Sequence, residues 1–296
     1  MTAIDCRSLQ PSSSVIRLVG RAIWDRDDAH AIYRQLKTEI SAGWPGAATI
    51  GRQIVEGVDR DGFAVADQLG LADLDPAIRD VLLLEVLSHV GKITVHDDHG
   101  KVLWDIKDRA KTIQRAPTFS ERLGACPMHT DSAFTQDPER FLCLFVVRES
   151  GDGGGESVVI KIDNMLKQLS AEQDGSRCIE ILKANNFPLR TPDAFSAVEQ
   201  VLSAPLLGTE PMVRFRYDSV IEGFNAKPDL DSPERRWALE YFFEFAQMRA
   251  ERMQVLAVRD QLAVVDNRNA LHARTHYADP HRHLIRARLH PMEKAA

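Results

Sequence analysis

The chain has 296 residues, of which 44% are hydrophobic and 27% charged, proportions of a folded globular protein that exclude a disordered or low-complexity chain. Its 43 acidic and 37 basic side chains leave a formal net charge of −6, which excludes the broadly basic surface of a general nucleic-acid binder. Four scattered cysteines (Cys6, Cys126, Cys143, Cys178) without a CxxC pair speak against a disulfide framework.

No charged segment followed by an apolar run opens the chain, and no apolar stretch approaches the roughly 20 residues of a membrane-spanning helix. A soluble cytoplasmic protein is the expectation, with no membrane partner. The spacing of Ala29, Ile32, Tyr33, Leu36 and Ile40 predicts a first helix over 27–42. Ile78, Val81, Leu82, Leu84 and Leu87 predict a second over 76–90. Between residues 91 and 106 two short apolar runs flank a polar, glycine-containing segment and read as a β-hairpin.

Strands are predicted over 141–147 and 157–162, joined by a turn at 151–155, and again over 212–220. A long helix then begins with Ser232 as N-cap and Pro233 at the first helical position. Strand character returns at 262–265 and 283–289. Strands at both ends with helices between them predict one α+β domain spanning 1–296, helical over about 1–90, with the sheet core over about 91–290.

Ten histidines must be sorted before any of them informs. His129 and Asp131 stand two apart, so in a strand an imidazole and a carboxylate would share a face, a mixed donor set suited to a divalent first-row metal. Two polar residues at a strand end are the bland reading of that triplet. His96 and Asp98 match the same spacing but lead into Gly100, where a solvated turn is the better reading. His272 could complete a two-histidine, one-carboxylate triad with open positions. Arg282, Leu284 and Arg286 would share one strand face, with His283, Ile285, Ala287 and Leu289 on the other. An arginine facing inward beside a metal calls for an anionic ligand, and a carboxylate gripped bidentately would satisfy it. Arg288 falls on the same face, so this argument does not choose among the three arginines.

The ordered set of His129-Thr130-Asp131, Gly154-Gly155-Glu156-Ser157, Val265-Asp266-Asn267-Arg268, Leu271-His272-Ala273-Arg274-Thr275 and Arg282 to Arg286 resembles the iron(II)/2-oxoglutarate-dependent oxygenases of the taurine dioxygenase and clavaminate synthase-like superfamily. The resemblance covers roughly residues 115–290. It implies a double-stranded β-helix, or jelly roll, with helices packed outside it. It also implies Fe(2+) bound by His129, Asp131 and His272, with 2-oxoglutarate and O2 as co-substrates. Arg282 would grip the distal carboxylate of 2-oxoglutarate, Ser157 would assist with a hydroxyl where the family often has threonine, and Arg286 would contact co-substrate or substrate. Where many members read Pro-Gly-Asp before the second-histidine strand, this chain reads Val258-Arg259-Asp260-Gln261, so a different entry turn is expected.

The implied activity is hydroxylation of an unactivated C–H bond in a small amino-acid-like or specialised metabolite, with release of succinate and CO2. Asp131 favours hydroxylation over halogenation. Desaturation, epimerisation or ring closure on the same centre, a non-catalytic metal-binding jelly roll, and a zinc hydrolase are the alternatives. Arg214, Arg216 and Asp218 on one strand face would suit a zwitterion, although a solvated face is the stronger reading. Phe134 and Phe224 are candidates for either pocket wall or core.

Overall fold

Helix boundaries follow their caps. The computed structural model describes residues 3–23, 28–95, 100–110, 112–113, 117–195, 198, 200–208, 212–249, 253–255 and 258–292. After the short strand β1 (Ile4–Asp5), Ser12 caps α1 (Ser13–Ala22) and Asp28 caps α2 (Ala29–Gly43), accepting from the backbone of His30 and Ala31. Pro45 opens α3 (Pro45–Asp61) and Gly62, at φ +81°, closes it, a left-handed position that suits glycine. Strand β2 (Phe63–Asp67) follows, then α4 (Pro76–Ser88), capped by Asp75.

The remaining elements are β3 (Lys92–Ile93), β4 (Trp104–Ile106), β5 (Cys126–His129), β6 (Phe141–Arg148), β7 (Ser157–Lys161), α5 (Ile162–Ser170), α6 (Gly175–Ala184), β8 (Phe187–Arg190), β9 (Val201–Ala204), α7 (Tyr217–Ala226), α8 (Pro233–Glu244), β10 (Met253–Val255), β11 (Leu262–Asp266), β12 (Ala270–Arg274) and β13 (His283–His290). A π-helical turn, Phe245–Arg249, continues α8.

Two sheets carry the fold. One runs β1-β2-β11-β6-β13-β3, with β4 also on β13; the other runs β10-β7-β12-β5. All of these pairings are antiparallel except β1 with β2. Strand periodicity sends alternate residues to opposite sides of each sheet. From β11, Leu262 and Val264 join α1–α4 in the largest core, whereas Ala263 and Val265 meet Val159 and Ala270 of the second sheet. Helices α5–α8 pack on the outer side of that second sheet through Val158, Ile160, Leu271 and Ala273. The order is helices, sheet, sheet, helices: a double-stranded β-helix with helical cladding. Strands β1 and β2, from the stretch read as helical in sequence, join the first sheet.

Several sequence expectations hold. Helix α2 takes up the predicted helix from Ala29 onward, α4 lies within 76–90, and Ser232 and Pro233 start α8 as read. Along β13, Ile285, Ala287 and Leu289 face the helix-side core, while Leu284 and Arg286 face the space between the sheets. No described helix is long and apolar enough to cross a membrane. All four cysteines are buried and unpaired.

Two expectations are corrected. The 91–106 hairpin does not form between its own arms, because β3 and β4 both pair with β13, at Leu289–Ile93 and Leu284–Ile106. Its turn at 96–99, with the His96-x-Asp98 triplet, lies outside the described residues. The predicted strand over 212–220 is a single bridge, Leu207 to Val213, followed by α7 from Tyr217. Buried Val220 and Phe224 set a helical period that the alternation of Val213 and Phe215 had masked.

Candidate active site

Adjacent strands deliver the two histidines. His272 of β12 is the register partner of His129 of β5, and their ring centroids stand 4.3 Å apart. Strand β5 ends at His129, so Asp131 lies in the turn beyond it rather than in the strand, and Ser132 takes φ +55°. The carboxylate nevertheless meets both imidazoles: Asp131 Oδ1 is 3.4 Å from His129 Nε2 and 3.9 Å from His272 Nε2. One donor atom from each of the three side chains falls within 4.8 Å of the others, and all three residues are buried.

The hydrogen bonds fix how these groups present themselves. His129 Nδ1 donates to the carbonyl of Pro127 at 2.9 Å, which leaves Nε2 with its lone pair toward Asp131. His272 Nδ1 is buried with no hydrogen-bond partner. Burial and the neighbouring His129 push the His272 imidazole down to about 3, so it is neutral at physiological pH. Burial works against the charged form of Asp131, yet the guanidinium of Arg286, the strongest opposing influence, holds its carboxyl well below the usual range. A neutral imidazole, a second imidazole with an outward lone pair and an ionised carboxylate suit a divalent first-row metal.

The other candidates line the same cleft between the sheets, which opens to solvent. Ser157 reaches it from β7, Arg282 from the turn before β13, and Arg286 from within β13. Arg282 is 2% exposed and donates from Nη2 to the carbonyl of Gly155 at 2.7 Å, but Nε and Nη1 are buried without partners. Burial and nearby Arg274 push its guanidinium down to about 10, so it still carries charge at neutral pH. A buried cation with two vacant N–H groups is costly until an anion meets it. A carboxylate accepting both would do so. Gly155, at φ +78°, makes the room: a Cβ there would lie 2.5 Å from Arg282 Nε.

Arg286 is placed otherwise than Arg282. Its Nη1 donates to Asp131 Oδ2 at 3.0 Å, so it holds the carboxylate of the triad. Arg288, on the same face, donates to Ser132 Oγ and lies 3.7 Å from Glu139. A smaller chamber adjoins the triad, lined by Phe119, Phe134, Phe195, Arg216, Arg286 and Arg288 among others. Phe134 and Phe195 stack across it at 5.8 Å.

Arg214, Arg216 and Asp218 do not share a strand face, solvated or zwitterion-binding, because only a single bridge at Val213 precedes α7 and Arg216 is buried. Arg214 donates to the carbonyls of Thr135 and Gln136, at 2.5 and 2.7 Å, while Arg216 pairs with Asp218 at 3.0 Å at the start of α7. Phe224 is core, packed beside Phe187. His276 and His281 are exposed, and His283 bonds Asp105 on β4 at 2.8 Å.

The family model for the taurine catabolism dioxygenase TauD, TfdA family matches residues 33–288. The chain belongs to the TauD/TfdA family. By family it is a dioxygenase of the iron(II)/2-oxoglutarate-dependent kind that the sequence motifs resemble. No curated protein matches it in sequence.

Solved structures share the fold of this TauD/TfdA-family chain. Asparagine oxygenase in complex with Fe(II), 2S,3S-3-hydroxyasparagine and succinate is 18% identical with a TM-score of 0.68, over 96% of this chain and 93% of that one. The non-heme iron oxygenase OrfP in complex with Fe, succinate and (3S)-hydroxy-L-Arg is 16% identical with a TM-score of 0.69, over 98% and 94%. OrfP with Fe and alpha-ketoglutaric acid is 18% identical with a TM-score of 0.66, over 98% and 94%.

Proposed function

We propose that the chain hydroxylates an unactivated C–H bond of a small acid, using Fe(2+), 2-oxoglutarate and O2. His129, Asp131 and His272 would hold the iron, and Arg282 with Ser157 would hold the distal carboxylate of 2-oxoglutarate. The observation that carries this reading is the pair of buried, unpartnered N–H groups on Arg282 in the cleft that the three metal donors line. A zinc hydrolase built on the same triad has no use for such a clamp. The iron and its co-substrate supply the oxidising power, consuming O2 and releasing succinate and CO2.

The chain's own residues bind and orient. Arg282 neutralises one carboxylate at a fixed end of the cleft. Arg286 keeps one oxygen of Asp131 occupied, so the other faces the imidazoles. Leu142, Leu144, Val159, Val265 and Leu284 give the cleft an apolar wall. The chamber holding Phe134, Arg216 and Arg288 would receive the substrate beside the metal. Amino acids are the first candidates, since asparagine oxygenase and OrfP were solved with hydroxylated amino acids.

The reading takes residues 1–296 as one cytoplasmic oxygenase domain, with α1–α4 sharing a core with the first sheet. Its test is succinate formation under air with Fe(2+) and 2-oxoglutarate, screened across amino acids and related acids. Substrate-stimulated succinate with a hydroxylated product is expected. Succinate release that no small acid stimulates would contradict the substrate class, and no succinate at all would contradict the activity.

A further inference from the structure

Asp131 poses a positioning problem. It lies beyond the end of β5, so no strand ladder sets its backbone. Thr130 before it is tied to Phe215 by two hydrogen bonds, at 2.7 and 3.0 Å. Asp131 itself receives a different partner. The side chain of Asn267 accepts from the Asp131 N–H through Oδ1 at 2.7 Å and donates from Nδ2 to the Asp131 carbonyl at 3.0 Å. The same Nδ2 donates to the carbonyl of Glu139 at 3.0 Å. Asn267 thus supplies a side-chain amide where a neighbouring strand would supply a peptide group.

Its orientation is not arbitrary. With Nδ2 facing two carbonyls and Oδ1 facing an N–H, the flipped amide would lose all three bonds. Asn267 is 2% exposed, and its own N–H donates to the carbonyl of Arg140 at 2.7 Å, so the clamp is anchored. It sits in the turn between β11 and β12, five residues before His272. One short segment therefore carries a metal-site histidine and the clamp on the metal-site aspartate.

We infer that Asn267 is a positioning residue for the metal centre, setting the Asp131 backbone from one side while Arg286 fixes its carboxylate from the other. The inference rests on the metal reading above. It predicts that removing the clamp leaves the fold and weakens the metal, because partners that orient a ligand typically carry about 10–100-fold in affinity.

The test is Mn(2+) titration of the full chain, followed by the electron paramagnetic resonance signal of the free ion, on wild type, Asn267→Ala and Asn267→Asp. Asn267→Asp keeps the acceptor but sets a carboxylate oxygen against two carbonyls. Asn269→Ala is the control, since Asn269 lies in the same turn and its amide bonds Asp266 instead. A loss of Mn(2+) affinity of about tenfold or more is expected in both Asn267 variants, with circular dichroism unchanged and Asn269→Ala binding like wild type.

Wild-type affinity in folded Asn267 variants would overturn the inference and leave the metal reading standing. Failure of both variants to fold while Asn269→Ala folds would make Asn267 structural and overturn it too. Mn(2+) binding absent from wild type, or unchanged in His129→Ala, would instead remove the metal reading and the inference with it.

Discussion

Arg286 donates to one oxygen of Asp131 at 3.0 Å, while the other oxygen of that carboxylate faces His129 at 3.4 Å. The carboxylate is held ionised against its burial chiefly by this guanidinium. In Arg286→Ala burial is no longer opposed by that charge, so the carboxyl rises and a proton competes better with the metal as pH falls. The sign follows: Mn(2+) affinity of the variant falls between pH 8 and pH 6 more steeply than that of wild type. Metal titrations at the two pH values check this, and parallel profiles would count against it.

Arg282 is a buried charge that stacks on the Tyr277 ring at 4.8 Å and keeps two N–H groups without partners in the ligand-free protein, and replacing a buried charge by an apolar side chain often stabilises a fold. Arg282→Met is therefore expected to raise the apo melting temperature by about 2–4 °C per kcal/mol gained, and to abolish the further rise that 2-oxoglutarate gives wild type. With its guanidinium pushed down to about 10, Arg282 stays charged from pH 7 to pH 9. Affinity for 2-oxoglutarate should hold over that range and weaken above pH 10. Differential scanning fluorimetry with and without 2-oxoglutarate reads both effects, and a ligand-induced shift surviving in Arg282→Met would show that another residue grips the carboxylate.

Gly155→Ala should mimic the loss of Arg282. A methyl group there would press on the Nε and Cδ of Arg282, at 2.5 and 2.8 Å, at a residue with φ +78°. Binding of 2-oxoglutarate is expected to weaken by about tenfold or more, since one misplaced charged hydrogen bond costs on the order of 1.5–3 kcal/mol. Mn(2+) binding should not change, and a parallel loss of metal would contradict the division of labour.

Asp260 stands where the sequence departs from the family's Pro-Gly-Asp. Its carboxylate accepts from the N–H groups of Gly70, Leu71 and Ala72, at 2.6, 2.8 and 2.8 Å, and ties the loop after β2 to the entry of β11. Asp260→Ala should destabilise the protein by about 2–4 kcal/mol, as loss of a charged acceptor from buried or half-buried donors does. Urea unfolding measures it, and a midpoint within error of wild type would mean that water replaces the carboxylate.

The candidate site was more legible than the fold around it. His129 and Asp131 could be paired because two-residue spacing survives the end of β5, although Asp131 owes its place to Asn267 and Arg286 rather than to the strand. The face shared by Arg282, Leu284 and Arg286 was readable because β13 is regular over that stretch, whereas their separate roles were not. Which arginine is left unpartnered depends on Asp131 and Gly155, both more than a hundred residues away in sequence. Strand β2 and helix α3 went unread despite Pro45 and Gly62 at the helix ends, signals that would have found them. The misread strand over 212–220 shows the limit of alternation: Val213 and Phe215 both enter the core just ahead of α7, and that spacing alone reads as strand.

The central claim is that three donors and one arginine clamp assemble an iron and 2-oxoglutarate site in a single cleft. Visible absorption of the anaerobic protein with Fe(2+) and 2-oxoglutarate tests it most directly. A charge-transfer band that requires both additions is predicted, lost in His129→Ala and in Asp131→Ala, and in Arg282→Ala recovered only at much higher 2-oxoglutarate. A wild-type protein without the band, forming no succinate when air is admitted, would contradict the account.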